Sequence, residues 1–457
     1  MAYATSPARN RFATSVALTD VPRLGLVPRT LIFLMPVVAA ANPVFPVIGP
    51  VSPFPLLAAC LFIVGVSQAR RGGRFGGVRT AVWLFALPML IIALLTLALR
   101  FGAVWAHNEA VAVTAGTLVV LAFSMMRITR SLLRILFNGW LLAFLATSAV
   151  TAVEVLTGQR LGASYLDTNP LVSDFGVVSV FYNPNNYAAF ISISLPILVA
   201  GRSMAASKML RFLYAGGLLA SIPLMLLTNS RFGLAAMLVF GGVWAVLSWQ
   251  SVVARVIVIV LGIGAVVGVF ALAESSVIAY WGNAQYTVPI FGIDVPVDSS
   301  IYARWNLAQN GLDALATNPL LGAGPGGFEI HAQNTTVMRQ TFRIINPHNG
   351  VIELLSQYGV IILVLAVILT ITLLRVGASH LRISPLRSPE RAMAFALISA
   401  VTMLPLVLLM NSSYLEILHT WASLAVFVAI ACYLADLGAN PKGDDVTPPA
   451  RVAGPRS

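Results

Sequence analysis

Long apolar runs, separated by short polar or basic stretches, constrain the fold of this chain more than any other feature of its sequence. A helix that crosses a hydrocarbon layer of roughly 30 Å needs about 20 apolar residues. Inside a bilayer only helices and closed barrels satisfy all of their backbone hydrogen bonds, and the sequence lacks the alternating pattern of barrel strands. The runs therefore predict an all-α, polytopic membrane helix bundle.

About twelve runs are long enough to be considered as transmembrane helices, and the composition agrees with lipid as their solvent. Of all residues, 58% are hydrophobic and only 10% are charged, whereas a soluble domain carries about 25% charged residues. The predicted spans lie at roughly 31–50, 53–68, 80–99, 110–126, 132–152, 186–201, 210–227, 232–249, 252–273, 351–374, 392–410 and 416–436.

The spans divide the chain into five parts. We expect a cytoplasmic tail at 1–30, transmembrane helices 1–9 at 31–273, an extracytoplasmic loop at 274–350, transmembrane helices 10–12 at 351–436 and a cytoplasmic, disordered tail at 437–457. The first apolar run also resembles a signal peptide with a small-residue cleavage site. Because that run continues to Gly49, we favour an uncleaved first helix.

The distribution of Lys and Arg predicts the orientation of the bundle, because cytoplasmic loops carry an excess of both residues. With the amino terminus inside, four connections on that side contain clusters of basic residues, which are Arg70, Arg71, Arg74 and Arg79, then Arg127, Arg130 and Arg134, then Arg202, Lys208 and Arg211, and finally Arg375, Arg382, Arg387 and Arg391. We therefore expect both termini in the cytoplasm. The net charge of +12 is explained by this orientation, and we do not expect nucleic-acid binding.

The same assignment places three residues that could carry chemistry on the outer side. Arg231 lies in a very short turn within TNSRFGL, Arg304 lies in SSIYARWN, and His348 precedes the tenth span in INPHNG. Taken alone, each has a structural interpretation, as a snorkelling arginine, a solvated arginine on an amphipathic helix and a structural histidine. Taken together they favour function, since arginines bind phosphate and histidine can accept a proton from a hydroxyl.

The 274–350 loop is the largest soluble part of the chain. Its SSIYARWNLAQNGLDALATN segment has helical spacing after two serines, which predicts a small helical cap over the membrane. The following NPLLGAGPGG segment lacks the lysine and the preceding strand of a nucleotide-binding loop, so we expect its glycines, Gly322, Gly324 and Gly327, to allow a tight turn. No outer cluster has the spacing of metal ligands, and we expect no metal or other cofactor.

An ordered set of motifs resembles the O-antigen ligase and polymerase superfamily, whose members are bacterial membrane proteins with many helices and one large outer loop. The set comprises FYNPNNYAAFISISLPIL, TNSRFGLAAML, SSIYARWNLAQNGLDALATNPLLGAGPGGFE and NPHNGVIELLSQYG, and it covers roughly 180 to 375. Two positions depart from the family pattern. Phe232 replaces a small residue after the turn arginine, and Ile362 replaces a second glycine after Gly359.

The resemblance implies a surface-polysaccharide polymerase or ligase of the bacterial plasma membrane. Such an enzyme transfers a glycan from a polyprenyl-pyrophosphate donor to a hydroxyl of a glycan or glycolipid acceptor at the outer membrane face, with inversion and without a metal. Arg231 and Arg304 match the family arginines of the pyrophosphate site, and His348 matches the histidine of the His-Asn element. We expect further substrate contacts from a set of four residues, Asn185, Arg339, Arg343 and Asn349.

Two other classes of protein remain as alternatives. A transporter or flippase of lipid-linked oligosaccharides would need ionisable residues within helices and paired broken helices. Few intramembrane charges and no clear internal repeat are apparent in the sequence, and a large outer loop fits an enzyme better. A non-catalytic membrane scaffold would leave the outer arginines and the histidine unexplained. The acceptor, and with it the choice between polymerase and ligase, stays open.

Overall fold

The computed structural model describes most of the chain, in segments interrupted by gaps. The described residues are 24–44, 52–69, 76–99, 104–161, 176–248, 251, 253, 256–257, 260–264, 286–290, 292–297, 299–334, 339–341, 344–410 and 413–439. Both predicted tails lie almost entirely outside them, and only a few residues of the predicted span at 252–273 are included.

Helices dominate the described part of the chain. In chain order they are α1 (Leu26–Ala41), α2 (Pro53–Ala69), α3 (Gly77–Leu99), α4 (Val104–Met125), α5 (Arg130–Thr157), α6 (Pro184–Met204), α7 (Lys208–Leu227), α8 (Arg231–Ser248), α9 (Ser299–Thr317), α10 (Gly327–Asn334), α11 (Gly350–Ile383), α12 (Pro389–Leu408) and α13 (Leu418–Ala439), and a short 3₁₀ turn (Asn42–Val44) follows α1. Two strands, β1 (Tyr286–Ile290) and β2 (Ile293–Val297), precede α9.

The predicted fold class, an all-α polytopic membrane bundle, is confirmed. Among the described residues, ten helices are long and apolar enough to cross a membrane, and Pro53–Ala69 is a shorter apolar helix. Their positions match eleven of the twelve predicted spans. In α6 and α13 residues on every side of the helix are buried, so these two helices form the centre of the bundle. The outer helices expose Leu, Ile and Val side chains, as lipid-facing surfaces require.

The predicted helical cap is formed by α9 and α10, and the sequence did not predict the hairpin that precedes it. Strands β1 and β2 pair antiparallel, with Tyr286 opposite Val297 and Ile290 opposite Ile293. The Tyr286 ring stacks on Tyr302 of α9 with 4.7 Å between ring centroids, which fixes the hairpin against the cap. The cap contacts α4 and α11, and the end of the bundle where it lies is called the cap end below.

A break in α11 is the main irregularity of the membrane helices. Gly359 has φ 74° and ψ −178°, which interrupts the helical hydrogen bonds. The segment that follows α9 fills this break, since the Val360 N–H donates to the Pro319 carbonyl over 2.9 Å and the Ala323 N–H donates to the Ser356 carbonyl over 2.8 Å. Backbone groups exposed by the broken helix are therefore satisfied by another segment, as they must be at a membrane boundary.

The glycines of this segment, residues 318–327, allow its tight turn, with one correction to the expectation. Gly322, Gly324 and Gly326 have positive φ angles, whereas Gly327 begins α10. A Cβ atom on Gly326 would lie 2.5 Å from the Ala106 backbone nitrogen, and one on Gly322 would lie 2.4 Å from the Gln357 carbonyl carbon. The segment is therefore held closely between α4 and α11, and we refer to it as the glycine loop.

Candidate active site at the cap end

Arg304 connects the cap to two other parts of the cap end. Its Nη1 donates a hydrogen bond of 2.7 Å to the Leu409 carbonyl, at the start of the connection between α12 and α13. Its guanidinium carbon lies 5.3 Å from the centroid of the Phe232 ring, in cation–π contact with the first turn of α8. The departure of Phe232 from the family pattern thus has a structural role, because the ring supports the arginine.

Arg231 is the first residue of α8 and directly precedes the ring that contacts Arg304. The turn before it is fixed by local hydrogen bonds, in which Thr228 accepts from the Ser230 N–H and Ser230 accepts from the Gly233 N–H, each over 3.3 Å. Asn229 in the same turn has φ 58°, a conformation that few residues other than glycine adopt. The turn therefore fixes the helix start at which Arg231 lies, one residue before the ring that contacts Arg304.

His348 also lies in a left-handed backbone conformation, with φ 49°. Burial and then the positive charge of Arg304 lower the pKa of His348 to about 3, so its imidazole is neutral at pH 7. That electrostatic effect requires the two side chains to be close. The structure thus brings Arg304 and His348 together, with Arg231 adjacent to the residue on which Arg304 rests.

Asn349 caps α11. Its Oδ1 accepts from the Val351 N–H over 3.0 Å and from the Ile352 N–H over 3.3 Å. This oxygen therefore holds the start of the helix that follows His348. Whether Asn349 also contacts a substrate, as the sequence predicts, remains a prediction.

Three helix starts meet near this cluster. In addition to α8 and α11, α6 begins close by, because a Cβ atom on Gly233 of α8 would lie 3.0 Å from Ala188 of α6. Helix starts carry partial positive charge. The three helix starts add their partial charge to that of Arg231 and Arg304 at the cap end.

The other predicted substrate residues are placed less favourably or are not described. Asn185 does not precede its helix as expected, because α6 begins at Pro184 with Asn183 as its cap. Arg339 pairs with Asp313 and also donates to Asn310 over 3.2 Å. Asp313 lies nine residues after Arg304, roughly 13 Å along α9 and on its opposite face, so Arg339 does not join the cluster. Arg343 lies outside the described residues.

Buried carboxylates are the main feature that the sequence analysis missed. Glu109 of α4 and Glu353 of α11 are 4% and 0% exposed, although few charges were expected within the helices. Glu154, assigned to a loop, lies in the last turn of α5 and accepts from the Ser179 N–H over 2.8 Å and the Val178 N–H over 3.1 Å. The sequence feature that could have indicated them is a single glutamate within or beside an apolar run.

The carboxylates at the cap end hold backbone groups. The Gly326 N–H donates to Glu109 and to Gln357, each over 2.9 Å, which ties the glycine loop to α4 and α11. Glu329 of α10 lies close to this network, and burial followed by the charge of Glu416 raises its pKa to about 8. Within the described residues no group of three or more His, Cys, Asp or Glu side chains is arranged to hold a metal ion.

An apolar cavity of about 320 Å³ begins next to the cluster. Its lining includes Gly350 and Val351, which directly follow Asn349, and continues along α11 to Leu373 between α12 and α13. Its volume lies within the roughly 300–1,000 Å³ of small-molecule sites. The polar cluster at the cap end therefore adjoins an apolar space that extends among the membrane helices.

Part of this chain is similar to known proteins. Residues 216–367 match the O-antigen ligase family, and this region contains Arg231, Arg304, the glycine loop and His348. The chain is also similar to the teichuronic acid biosynthesis protein TuaE of Bacillus subtilis strain 168, with 25% identity over 238 residues. That alignment covers 50% of this chain, which spans about half of the relative, 47% of its length. The family resemblance predicted from the motifs is confirmed.

Proposed function

Because residues 216–367 match the O-antigen ligase family, we propose that this chain is a glycosyltransferase of surface-polysaccharide synthesis. It transfers a glycan from a polyprenyl-pyrophosphate donor to a hydroxyl of a glycan or glycolipid acceptor. The reaction takes place at the outer face of the plasma membrane, where we place the cap end. Polymerase and ligase activity differ only in the acceptor, which is another lipid-linked repeat or a different glycan or glycolipid.

The observation that supports this proposal most is the neighbourhood of Arg304. Its guanidinium rests on Phe232, next to Arg231, and its charge acts on His348. In this proposal, residues far apart in the sequence supply two permanent positive charges and one neutral imidazole to the same substrate. A diphosphate leaving group and an acceptor hydroxyl need these two kinds of group.

The chemistry follows from these charges. The acceptor oxygen attacks the sugar C1 and forms the new glycosidic bond, while the bond from C1 to the donor phosphate breaks and its electron pair leaves with the polyprenyl pyrophosphate. Arg231 and Arg304 stabilise the negative charge that grows on the departing phosphate, by charge-assisted hydrogen bonds. Attack opposite the leaving group inverts the anomeric centre, and the arginines supply the charge that a metal would otherwise provide.

His348 orients the acceptor hydroxyl and accepts its hydrogen bond, because a neutral imidazole has a free lone pair. Burial, and after it the charge of Arg304, lowers the pKa of His348 to about 3. A bound diphosphate offsets the charge of Arg304 and raises that pKa, so donor binding makes the imidazole a better proton acceptor. The proton of the acceptor hydroxyl passes to this imidazole as the glycosidic bond forms.

The apolar cavity supports a lipid-linked donor. It begins at Gly350 and Val351, beside the polar cluster, and its walls are apolar side chains of α11, α12 and α13. A polyprenyl chain that entered it would leave the pyrophosphate at the helix starts of the cap end. A soluble nucleotide-sugar donor has no long apolar chain that could occupy such a space.

A flippase remains the second candidate because of the break in α11 and the buried Glu109 and Glu353, which are features of transporters. The break does not open an ion pathway, however, since the glycine loop occupies it with backbone hydrogen bonds. We therefore favour the transferase.

The proposal is tested with purified protein in liposomes that contain a lipid-linked oligosaccharide donor. Arg231→Ala and Arg304→Ala should each lower glycan transfer by about 10²–10³-fold, as the removal of an oxyanion-stabilising donor does. Arg382→Ala is the matched control, because Arg382 is exposed near the last turn of α11, at its opposite end. Full transfer by the Arg304 and Arg231 variants would refute the role of the arginines.

A further inference from the structure

Glu353 is a fully buried carboxylate in the first turn of α11, five residues after His348. Its two oxygens accept from two consecutive backbone N–H groups, those of Tyr414 over 2.6 Å and Leu415 over 3.1 Å. Buried carboxylates are costly unless they are hydrogen-bonded. The length and pairing of these bonds show that Glu353 is placed to hold one specific segment, the connection between α12 and α13.

The same connection supports Arg304. The Leu409 carbonyl at its start accepts the 2.7 Å hydrogen bond from the arginine. The connection also packs on the first turn of α11, since a Cβ atom on Gly350 would lie 2.7 Å from Leu408 and 3.1 Å from Tyr414. Glu353 thus ties together the helix that begins after His348 and the segment that binds Arg304.

We propose that Glu353 is a positioning residue for glycan transfer, which fixes the connection between α12 and α13 so that Arg304 points at the donor pyrophosphate. This inference rests on the proposed function and adds a residue that makes no contact with the substrate. Arginine binds phosphate best when its planar group is held in one orientation. A small displacement of such a group lowers the rate strongly even when the group itself is present.

The test is a double-mutant cycle between Glu353→Gln and Arg304→Lys, measured as kcat and KM of glycan transfer in liposomes. In Glu353→Gln an amide NH₂ replaces one acceptor oxygen and opposes a backbone N–H. We expect Glu353→Gln to lower kcat about tenfold or more when Arg304 is native, and less than about threefold in the Arg304→Lys background. A residue that only stabilised the fold would lower activity by the same factor in both backgrounds, and that result would overturn the proposal.

Glu109→Gln is the matched control. Glu109 is also a buried carboxylate that accepts a backbone N–H, but its partner is Gly326 of the glycine loop rather than a residue of the connection. It shares the electrostatic environment of Glu353, so a general effect of charge in this region would appear in both variants. We expect Glu109→Gln to lower kcat by the same factor whether residue 304 is Arg or Lys. Coupling of equal size for both glutamates would contradict a specific role of Glu353.

Two further measurements separate the possible failures. If Glu353→Gln is not recovered from membranes, Glu353→Asp keeps the charge and shortens the side chain by one methylene, and the same coupling with Arg304 is expected. If Arg304→Lys alone leaves transfer unchanged, the proposed function fails at the arginine. If Arg304→Lys does lower transfer, and Glu353→Gln lowers kcat by the same factor in the native and the Arg304→Lys backgrounds, only the positioning role is refuted.

Discussion

Gly359→Ala tests the fit between the glycine loop and the broken helix α11. The backbone of Gly359, with φ 74° and ψ −178°, is in a region that is essentially limited to glycine, and a residue with a side chain pays about 1–3 kcal/mol to adopt it. An added Cβ would also lie 2.2 Å from the Leu320 carbonyl oxygen. Because that oxygen belongs to the backbone, the clash can be relieved only by moving the loop.

Moving the loop breaks hydrogen bonds at the helix break. The two that directly follow Gly359 run from the Val360 N–H to the Pro319 carbonyl over 2.9 Å and from the Ile361 N–H to the Leu320 carbonyl over 3.4 Å. Each contributes about 1 kcal/mol. Together with the backbone strain, Gly359→Ala should lower the free energy of unfolding by about 3–5 kcal/mol. Detergent-solubilised protein unfolded with increasing SDS gives this quantity, and limited proteolysis shows whether the cap is released first.

Gly216→Ala in α7 is the matched control, since nothing lies within 4 Å of its added Cβ. Alanine is favoured over glycine inside a helix by up to about 1 kcal/mol, so this variant should be as stable as the native protein or more so. A Gly359→Ala protein within about 0.5 kcal/mol of the native one, with a protected cap, would show that the loop does not need glycine at the break.

Two other predictions concern the start of α11. Asn349→Ala should lower the free energy of unfolding by about 1 kcal/mol through loss of the cap, whereas Asn349→Asp retains an acceptor and should not; equal losses in the SDS titration would count against the cap. For His348, burial and the charge of Arg304 lower its pKa from 6.5 to about 3, so between these values the unfolded chain binds more protons than the native protein. The contribution of His348 to the free energy of unfolding should therefore be greatest above pH 6.5 and decline as the pH falls towards 3. The decline should be smaller in His348→Asn, and an identical pH profile for both proteins would be inconsistent with a half-buried, neutral imidazole.

The helices could be predicted from the sequence because lipid imposes a simple rule on it. A spanning helix must be apolar along about 20 residues, and the runs that follow this rule coincide with helices wherever the structure describes them. The cap helix α9 was also predictable, from its helical spacing and its two serines. Local pattern decides such elements, and little tertiary information is needed.

The internal supports of the site could not be predicted, because they depend on contacts between distant segments. Nothing near Gly359 in the sequence indicates that residues 318–324 occupy the break it creates. Likewise Glu353 resembles an ordinary helix-start glutamate until Tyr414, 61 residues later, is found to donate to it. Phe232 appeared as a departure from a family pattern, and its contact with Arg304 is visible only in three dimensions.

The residues of the candidate site also differ in what the sequence could predict about them. Arg231, Arg304 and His348 could be proposed from motifs, whereas the contact of Arg304 with Phe232 could not. The sequence also suggested Arg339, but it did not indicate that Asp313 and Asn310 pair with it away from the cluster. Residue type was thus predictable, whereas the partner that each side chain binds was not.

The most direct test of the central claim is the stoichiometry of the reaction in liposomes that contain only this protein, a lipid-linked oligosaccharide and an acceptor. The proposed function predicts one free polyprenyl pyrophosphate for each glycosidic bond formed, and a release that is about 10²–10³-fold slower with Arg304→Ala. Movement of intact lipid-linked oligosaccharide across the bilayer, without new bonds or released pyrophosphate, would contradict the transferase and favour a flippase.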